Sequence, residues 1–214
     1  MKIIEVENVT KSFKDKKVLD QVNLMIESGT ICGLVGRNGS GKTVLMKCIC
    51  GFMTPDSGEI RIRGQKAEKG KDVTGNMGII IEAPGFLETE SARQNLRYLA
   101  KLNGIIGKEE VDHFIRMVGL NPEDKKKVKN FSMGMKQRLG IAQAIMEDPD
   151  IIILDEPMNG LDEKGVGEMR KIFAGLRKEG KTILLASHNA EDIHSLCDKV
   201  YKMDGGIIKE IEIS

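Results

Sequence analysis

The chain has 214 residues and a formal net charge of +1, from 33 Lys and Arg against 32 Asp and Glu. That length suits a single domain of generous size. A composition 40% hydrophobic and 30% charged excludes disorder for the bulk of the chain. The even charge balance speaks against a dedicated nucleic-acid binder, whose phosphate-facing surface carries a clear basic excess. No run approaches the ~18 apolar residues that span a bilayer. The opening Met1-Lys2-Ile3-Ile4-Glu5 lacks the apolar stretch of a secretory signal. The expectation is a soluble protein made and kept inside the cell.

Short apolar or alternating runs, bounded by Gly, Asp, Asn or Pro, predict strands over residues 3–9, 22–26, 30–35, 60–62, 77–81, 151–154, 182–187, 199–203 and 207–213. A helix follows Gly41, with Val44, Leu45, Cys48 and Ile49 on its apolar face. The middle of the chain, about residues 91–147, is rich in helical patterns. Val111, Phe114, Ile115 and Val118 repeat at helical spacing and Gly119 sits where a C-terminal cap belongs. Val166, Met169, Phe173 and Leu176 repeat the pattern, ended by Gly180. Residues 151–187 read as a β-α-β unit, which predicts a parallel sheet. The helical middle interrupts this core without a Pro/Gly linker and is expected to be a subdomain. The basic run over residues 125–129 reads as a solvated loop. Cys32, Cys48, Cys50 and Cys197 form no Cys-x-x-Cys pair and have no spaced His partners, so buried side chains in a reducing compartment are expected. Two Tyr, six Phe and no Trp leave little for a base-stacking platform.

The 24 glycines are not scattered. The predicted strand over residues 30–35 runs into Gly36-Arg37-Asn38-Gly39-Ser40-Gly41-Lys42-Thr43 and then into a helix. This fits G-x-x-x-x-G-K-[ST] in the strand–loop–helix setting that the chemistry needs. Glycines let successive backbone N–H groups point inward around phosphates, and the helix N-terminus adds its positive end. Lys42 places a cation on the β- and γ-phosphates, and the Thr43 hydroxyl can hold Mg²⁺. A nucleoside triphosphate site is expected.

Asp155 closes the apolar run over residues 151–154, where a strand-end carboxylate beside such a loop gives the second Mg²⁺ contact. Glu156 follows it. It reads either as the general base that aligns or deprotonates the attacking water, or as a turn acid before Pro157; beside the phosphate loop the base is preferred. His188, at the end of the strand over residues 182–187, is placed to reach the γ-phosphate or the water beside Glu156. His113 and His194 have no such placement.

These segments, with Phe131-Ser132-Met133-Gly134-Met135 and Asn159-Gly160-Leu161-Asp162, stand in order over the whole chain. The set resembles the ATPase subunit of an ATP-binding cassette (ABC) transporter. The resemblance implies an α/β fold, with a P-loop NTPase core on a mostly parallel sheet, an N-terminal antiparallel β subdomain and an inserted helical subdomain. Residues 1–214 form a single ABC ATPase domain on this reading, with 1–82 and 149–214 as the nucleotide-binding core and 83–148 as the helical subdomain. ATP and Mg²⁺ are the implied ligands. Two cassettes, identical or a pair, would face head to tail, each ATP lying between one phosphate loop and the other copy's residues 131–135. Ser132 and Gly134 would then offer a hydroxyl and a backbone N–H to the partner's γ-phosphate, before a helix beginning near Met135. Asp162 would lie at the dimer seam. Phe13 matches the aromatic that stacks on adenine, where Tyr is usual; a plain core Phe is the alternative.

Three departures from the family pattern stand out. The Gly-Gly-Gln ending of the signature loop is Met133-Gly134-Met135 here. Glu82 replaces the hinge glutamine that senses the metal-bound phosphate and touches the membrane subunit; a glutamate there can still hold Mg²⁺ but adds negative charge. The third is the short tail after the final strands, which leaves no room for a regulatory domain. Glutamate at the hinge with Ser-x-Gly-Met-Lys-Gln-Arg is similar to cassettes that export antimicrobial peptides such as bacitracin or lantibiotics. The implied partner is a membrane-spanning permease, with no nucleic acid, and the implied location is the cytoplasmic face of the cell membrane. The other readings are an importer ATPase, another exporter, and a soluble cassette protein acting on ribosomes or DNA.

Overall fold

The computed structural model describes residues 1–67, 75–82 and 85–212. Strands β1 (Lys2–Phe13) and β2 (Lys16–Glu27) precede β3 (Ile31–Val35) and helix α1 (Lys42–Ile49). Strands β4 (Ser57–Ile62), β5 (Gln65–Lys66) and β6 (Met77–Ile80) follow. Then come helices α2 (Ala92–Asn103), α3 (Lys108–Met117) and α4 (Met133–Ile145), with one 3-10 turn at Val128–Asn130. The remaining elements are β7 (Ile151–Asp155), α5 (Glu163–Lys178), β8 (Thr182–Ala186), α6 (Ala190–Leu196), β9 (Lys199–Asp204) and β10 (Ile207–Ile211).

The strands sort into two sheets according to what covers them. β2-β1-β4-β5 form an antiparallel sheet with one face inward. In β2, Leu19, Val22, Leu24 and Ile26 are buried while Gln21 and Asn23 face out. The second sheet has the order β10-β9-β3-β8-β7-β6, parallel from β9 to β6, with β10 antiparallel at its edge. Its strands β3, β7 and β8 are covered on both faces, and so they read as unbroken apolar runs. One core lies on the α2–α5 side of this sheet, around Leu96, Ile115 and Phe173. The other lies between the two sheets and includes Leu45, Met46, Cys48 and Ile49 of α1. The helix that follows the phosphate loop is thereby gripped from both sides.

Several expectations needed adjustment. β1 and β2 extend well beyond residues 3–9 and 22–26, because their outer ends pair through backbone hydrogen bonds while most of their side chains, Phe13, Val18 and Leu19 apart, are polar. α4 begins at Met133, two residues earlier than expected, because the Ser132 hydroxyl caps it by accepting from Met135 N at 3.2 Å. The short β5 and α6 carry too few apolar residues to show in the sequence. Gly119 (φ +79°) and Gly180 (φ +86°) do take left-handed backbone just past α3 and α5. Ile213 lies outside the described residues. Lys125, Lys126, Lys127 and Lys129 are exposed, with Val128 buried between them as an anchor. All four cysteines are buried and unpaired, and burial pushes the Cys48 thiol up to about 11 and Cys50 and Cys197 to about 12. Among the described residues no helix is long and apolar enough to cross a membrane.

Two contacts position the helical segment and can be tested. Gly78 of β6 lies so close to α4 that a Cβ there would collide with the backbone carbonyl of Ala144. Gly78→Ala is expected to destabilise the fold by about 2–3 kcal/mol, since neither element can yield, read as a drop in urea midpoint at unchanged slope. The second contact joins α2 to α3. Arg93 Nε donates to Asp112 Oδ1 at 2.7 Å and its Nη2 to Oδ2, with Arg97 Nη2 3.4 Å away. The Arg93 hydrogen bonds hold the buried Asp112 carboxyl below the ordinary carboxylate range. A depressed acid contributes its full stability above the unfolded value of ~3.9 and loses it as pH falls through the folded value. Urea midpoints are therefore expected to fall below about pH 4, and Asp112→Asn to flatten that part of the profile.

Candidate nucleotide site

The site is built on the turn between β3 and α1. Gly36 follows β3 where a Cβ would collide with the carbonyl of Met203 in β9 and lie 2.7 Å from Ser40 Oγ. Gly41 takes φ +114° against the Val18 carbonyl, where a Cβ would sit at 2.8 Å. Both positions admit only glycine, and together they wrap the loop around itself. Gly206 N, in the β9–β10 turn, donates to Ser40 O at 3.3 Å and ties the loop from outside. Lys42 opens α1 with a buried side chain whose Nζ donates back to Gly36 O at 2.7 Å and Arg37 O at 3.4 Å. Ser40 Oγ is buried without a hydrogen-bond partner.

Parallel strand order brings the carboxylates to this loop. β7 lies two strands from β3, with β8 between them, and its last residue Asp155 accepts from Thr43 Oγ1 at 2.7 Å. Glu156 turns sharply, at φ +52°, its N–H held by Ala186 O of β8 at 3.0 Å. His188 Nδ1 lies 2.8 Å from Glu156 Oε2 and donates to it. Glu156 Oε1 is buried with no hydrogen bond and lies 3.9 Å from Lys42 Nζ. Val18, residues 38–44, Asp155 and Glu156 line a cavity of about 300 Å³. The cavity suits a chain of phosphates.

The other candidates fall elsewhere. Glu82 has left-handed backbone (φ +62°) and its side chain, 65% exposed, pairs with Lys47 of α1 at 2.6 Å rather than with Thr43. It lines a second cleft, of about 640 Å³, together with Asp155, Glu156 and Met133. Phe13 ends β1 with its ring half-exposed, and Lys11 Nζ lies 5.8 Å from the ring centroid. Ser132 caps α4, and Asp162 caps α5 by accepting from Gly165 N at 2.9 Å. Gly134 abuts Gly160, whose carbonyl a Cβ would meet at 2.7 Å. None of these four lines the phosphate cavity of its own chain. Sequence reasoning missed Lys47, a lone basic residue in the last turn of α1, and the Met203 and Gly206 backbone, which carries no side-chain signal.

Thr43 and Asp155 place a hydroxyl and a carboxylate, both hard oxygens, side by side. Among the described residues no group of three or more His, Cys, Asp or Glu is placed to hold a metal. That donor set fits Mg²⁺, which takes one or two protein oxygens and completes its shell with phosphates and water.

A glycine loop entering a helix, closed by a lysine and flanked by acids at the end of a parallel strand two places away, defines a P-loop nucleoside triphosphatase. Residues 19–159 match the ABC transporter family, and the chain belongs to it. It is 44% identical over 210 residues to the ABC transporter ATP-binding protein YybJ of Bacillus subtilis, covering 98% of this chain and 96% of that one. It is 40% identical to the bacitracin transport ATP-binding protein BcrA of Enterococcus faecalis, covering 99% of this chain and 70% of that one. The lantibiotic transport ATP-binding protein SrtF of Streptococcus pyogenes is 36% identical, with 98% of this chain and 91% of that one covered. Among solved structures, a post-hydrolysis dimer of the ATP-binding cassette MJ0796 with ADP and phosphate superimposes with a TM-score of 0.90 at 23% identity, over 99% of both chains, and shows the fold. The chain is thus an ATP-binding, ATP-hydrolysing cassette of the ABC transporter family.

Proposed function

We propose that this cassette drives a membrane permease that exports antimicrobial peptides, working as a head-to-tail pair on the cytoplasmic face of the membrane. The support is its likeness to BcrA and SrtF, together with Glu82 and the Ser-x-Gly-Met-Lys-Gln-Arg loop. Within the site, the inward N–H groups of residues 36–43 bind the phosphates, and Lys42 exchanges its loop carbonyls for phosphate oxygens. Thr43 and Asp155 would hold Mg²⁺, which would supply positive charge to the phosphates. Glu82 joins that set only by leaving Lys47. Glu156 takes the proton of the attacking water. His188 keeps it oriented. Ser132, Gly134 and Asp162 serve the partner copy's nucleotide, Phe13 stacks on adenine, and residues 83–148 move as the helical subdomain.

One observation carries the chemistry: Glu156 Oε1 is buried and left without a donor while Oε2 is fixed by His188. An acceptor left so costs about 1–3 kcal/mol in a folded protein, and the residue that carries it lines the cavity beside the phosphate loop. The transport reading is tested by purifying the chain with the membrane protein that accompanies it and measuring phosphate release in proteoliposomes. Stimulation by cyclic or lanthionine-containing cationic peptides is expected. Stimulation only by a solute delivered from outside would replace export with import. Glu82→Gln is expected to change the peptide exported per ATP while leaving nucleotide affinity within about twofold, because exposed ion pairs are weak. A parallel loss of nucleotide binding would contradict this.

A further inference from the structure

Met133 stands where the family pattern has a glycine, and its side chain is not idle. Gly160 has left-handed backbone (φ +78°), and a Cβ on it would lie 2.6 Å from Met133 Cγ and 2.9 Å from Met133 Sδ. The missing Cβ is therefore the seat into which the methionine fits, an adaptable thioether over a bare backbone. Next to it, Gly134 rests against the Gly160 carbonyl and Leu161 Cδ2, which a Cβ on Gly134 would meet at 2.7 and 3.6 Å. The first turn of α4 and the Asn159–Leu161 backbone are in direct contact over two successive residues.

From Gly160 a short hydrogen-bonded path leads back to Glu156. Asn159 N donates to Glu156 O at 3.2 Å, and Leu161 N donates to Met158 O at 3.2 Å. Glu156 itself is pinned through its N–H to Ala186 O. Met133, Asn159 and Glu156 also share the wall of the 640 Å³ cleft. Yet Met133 remains 65% exposed, so the face turned away from Gly160 is open to a second copy.

We propose that Met133 is a positioning residue: seated on Gly160, it makes the signature turn and the turn carrying Glu156 move together. Resting on the reading above, nucleotide held by the partner copy and gripped here by Ser132 and Gly134 then sets the orientation of this copy's own base. Occupancy of one site favours turnover at the other. A glycine at 133 would leave the contact through Gly134 alone.

The experiment uses the full chain and four variants: Met133→Gly, Met133→Leu, Gly160→Ala, and the pair Met133→Gly with Gly160→Ala. Steady-state phosphate release is measured against ATP concentration, and affinity with a fluorescent ATP analogue. The wild-type curve is expected to be sigmoidal. Met133→Gly is expected to make it hyperbolic and lower kcat about tenfold, with affinity within about twofold. Met133→Leu, which refills the seat, is expected to stay within about threefold of wild type. Gly160→Ala is expected to lower kcat about tenfold or more alone, but less than about threefold in the Met133→Gly background. The strain of alanine at φ +78° is common to both and cancels in the comparison. Unchanged kcat and curve shape in Met133→Gly, or an equal cost of Gly160→Ala in both backgrounds, overturns this role alone. A wild-type chain without ATPase activity overturns the site assignment and this role with it.

Discussion

Glu156→Gln is expected to lower phosphate release by about a thousandfold while leaving ATP bound. The substitution keeps the shape of the side chain and its contact with His188, which lies 2.8 Å from Oε2. What it removes is the basic oxygen that has no hydrogen bond and pairs only at 3.9 Å with Lys42. Loop, lysine, Thr43 and Asp155 are untouched, so affinity is expected within about threefold of wild type. On the proposed head-to-tail pairing around ATP, the variant is also expected to accumulate as a dimer in ATP and to revert to monomer when nucleotide is washed out. Size-exclusion chromatography with light scattering checks the second outcome, and single-turnover phosphate release the first. Turnover at the wild-type rate would remove Glu156 from the role of base.

Lys42→Ala is expected to weaken ATP binding about a hundredfold or more. The ammonium is buried and donates to the carbonyls of Gly36 and Arg37. Removing it withdraws the cation from the phosphates and also the brace that closes the loop. The fold is expected to persist, since α1 is held by Leu45, Met46 and Ile49 in the core between the sheets. Equilibrium titration with a fluorescent nucleotide and a parallel urea melt separate the two effects. Undiminished affinity in a folded variant would sink the phosphate-loop assignment.

How far this was legible in the sequence depends on where each contact is encoded. The phosphate loop could be read because its chemistry is local: eight consecutive residues, from the end of a strand into the first turn of a helix, carry the amides, the lysine and the hydroxyl. The parallel strands over residues 151–154 and 182–187 were legible because strands covered on both faces become pure apolar runs. β1 and β2 were underestimated because half of each is polar and is held by pairing rather than burial. Tertiary partners left no trace. Nothing in the spacing showed that Lys47 would turn to Glu82, or that Met133 would sit on Gly160. Ser132, Gly134, Asp162 and Phe13 lie outside the phosphate cavity of their own chain, and it was the family pattern rather than local chemistry that drew attention to them.

The phosphate loop spans residues 36–43, but its shape is completed by the Met203 carbonyl against Gly36 and by Gly206 donating to Ser40 at 3.3 Å. The strand that leads into it, β3, lies between β8 and β9. The loop of residues 36–43 therefore takes its working form only after residues 203–206 have been made and folded beside it.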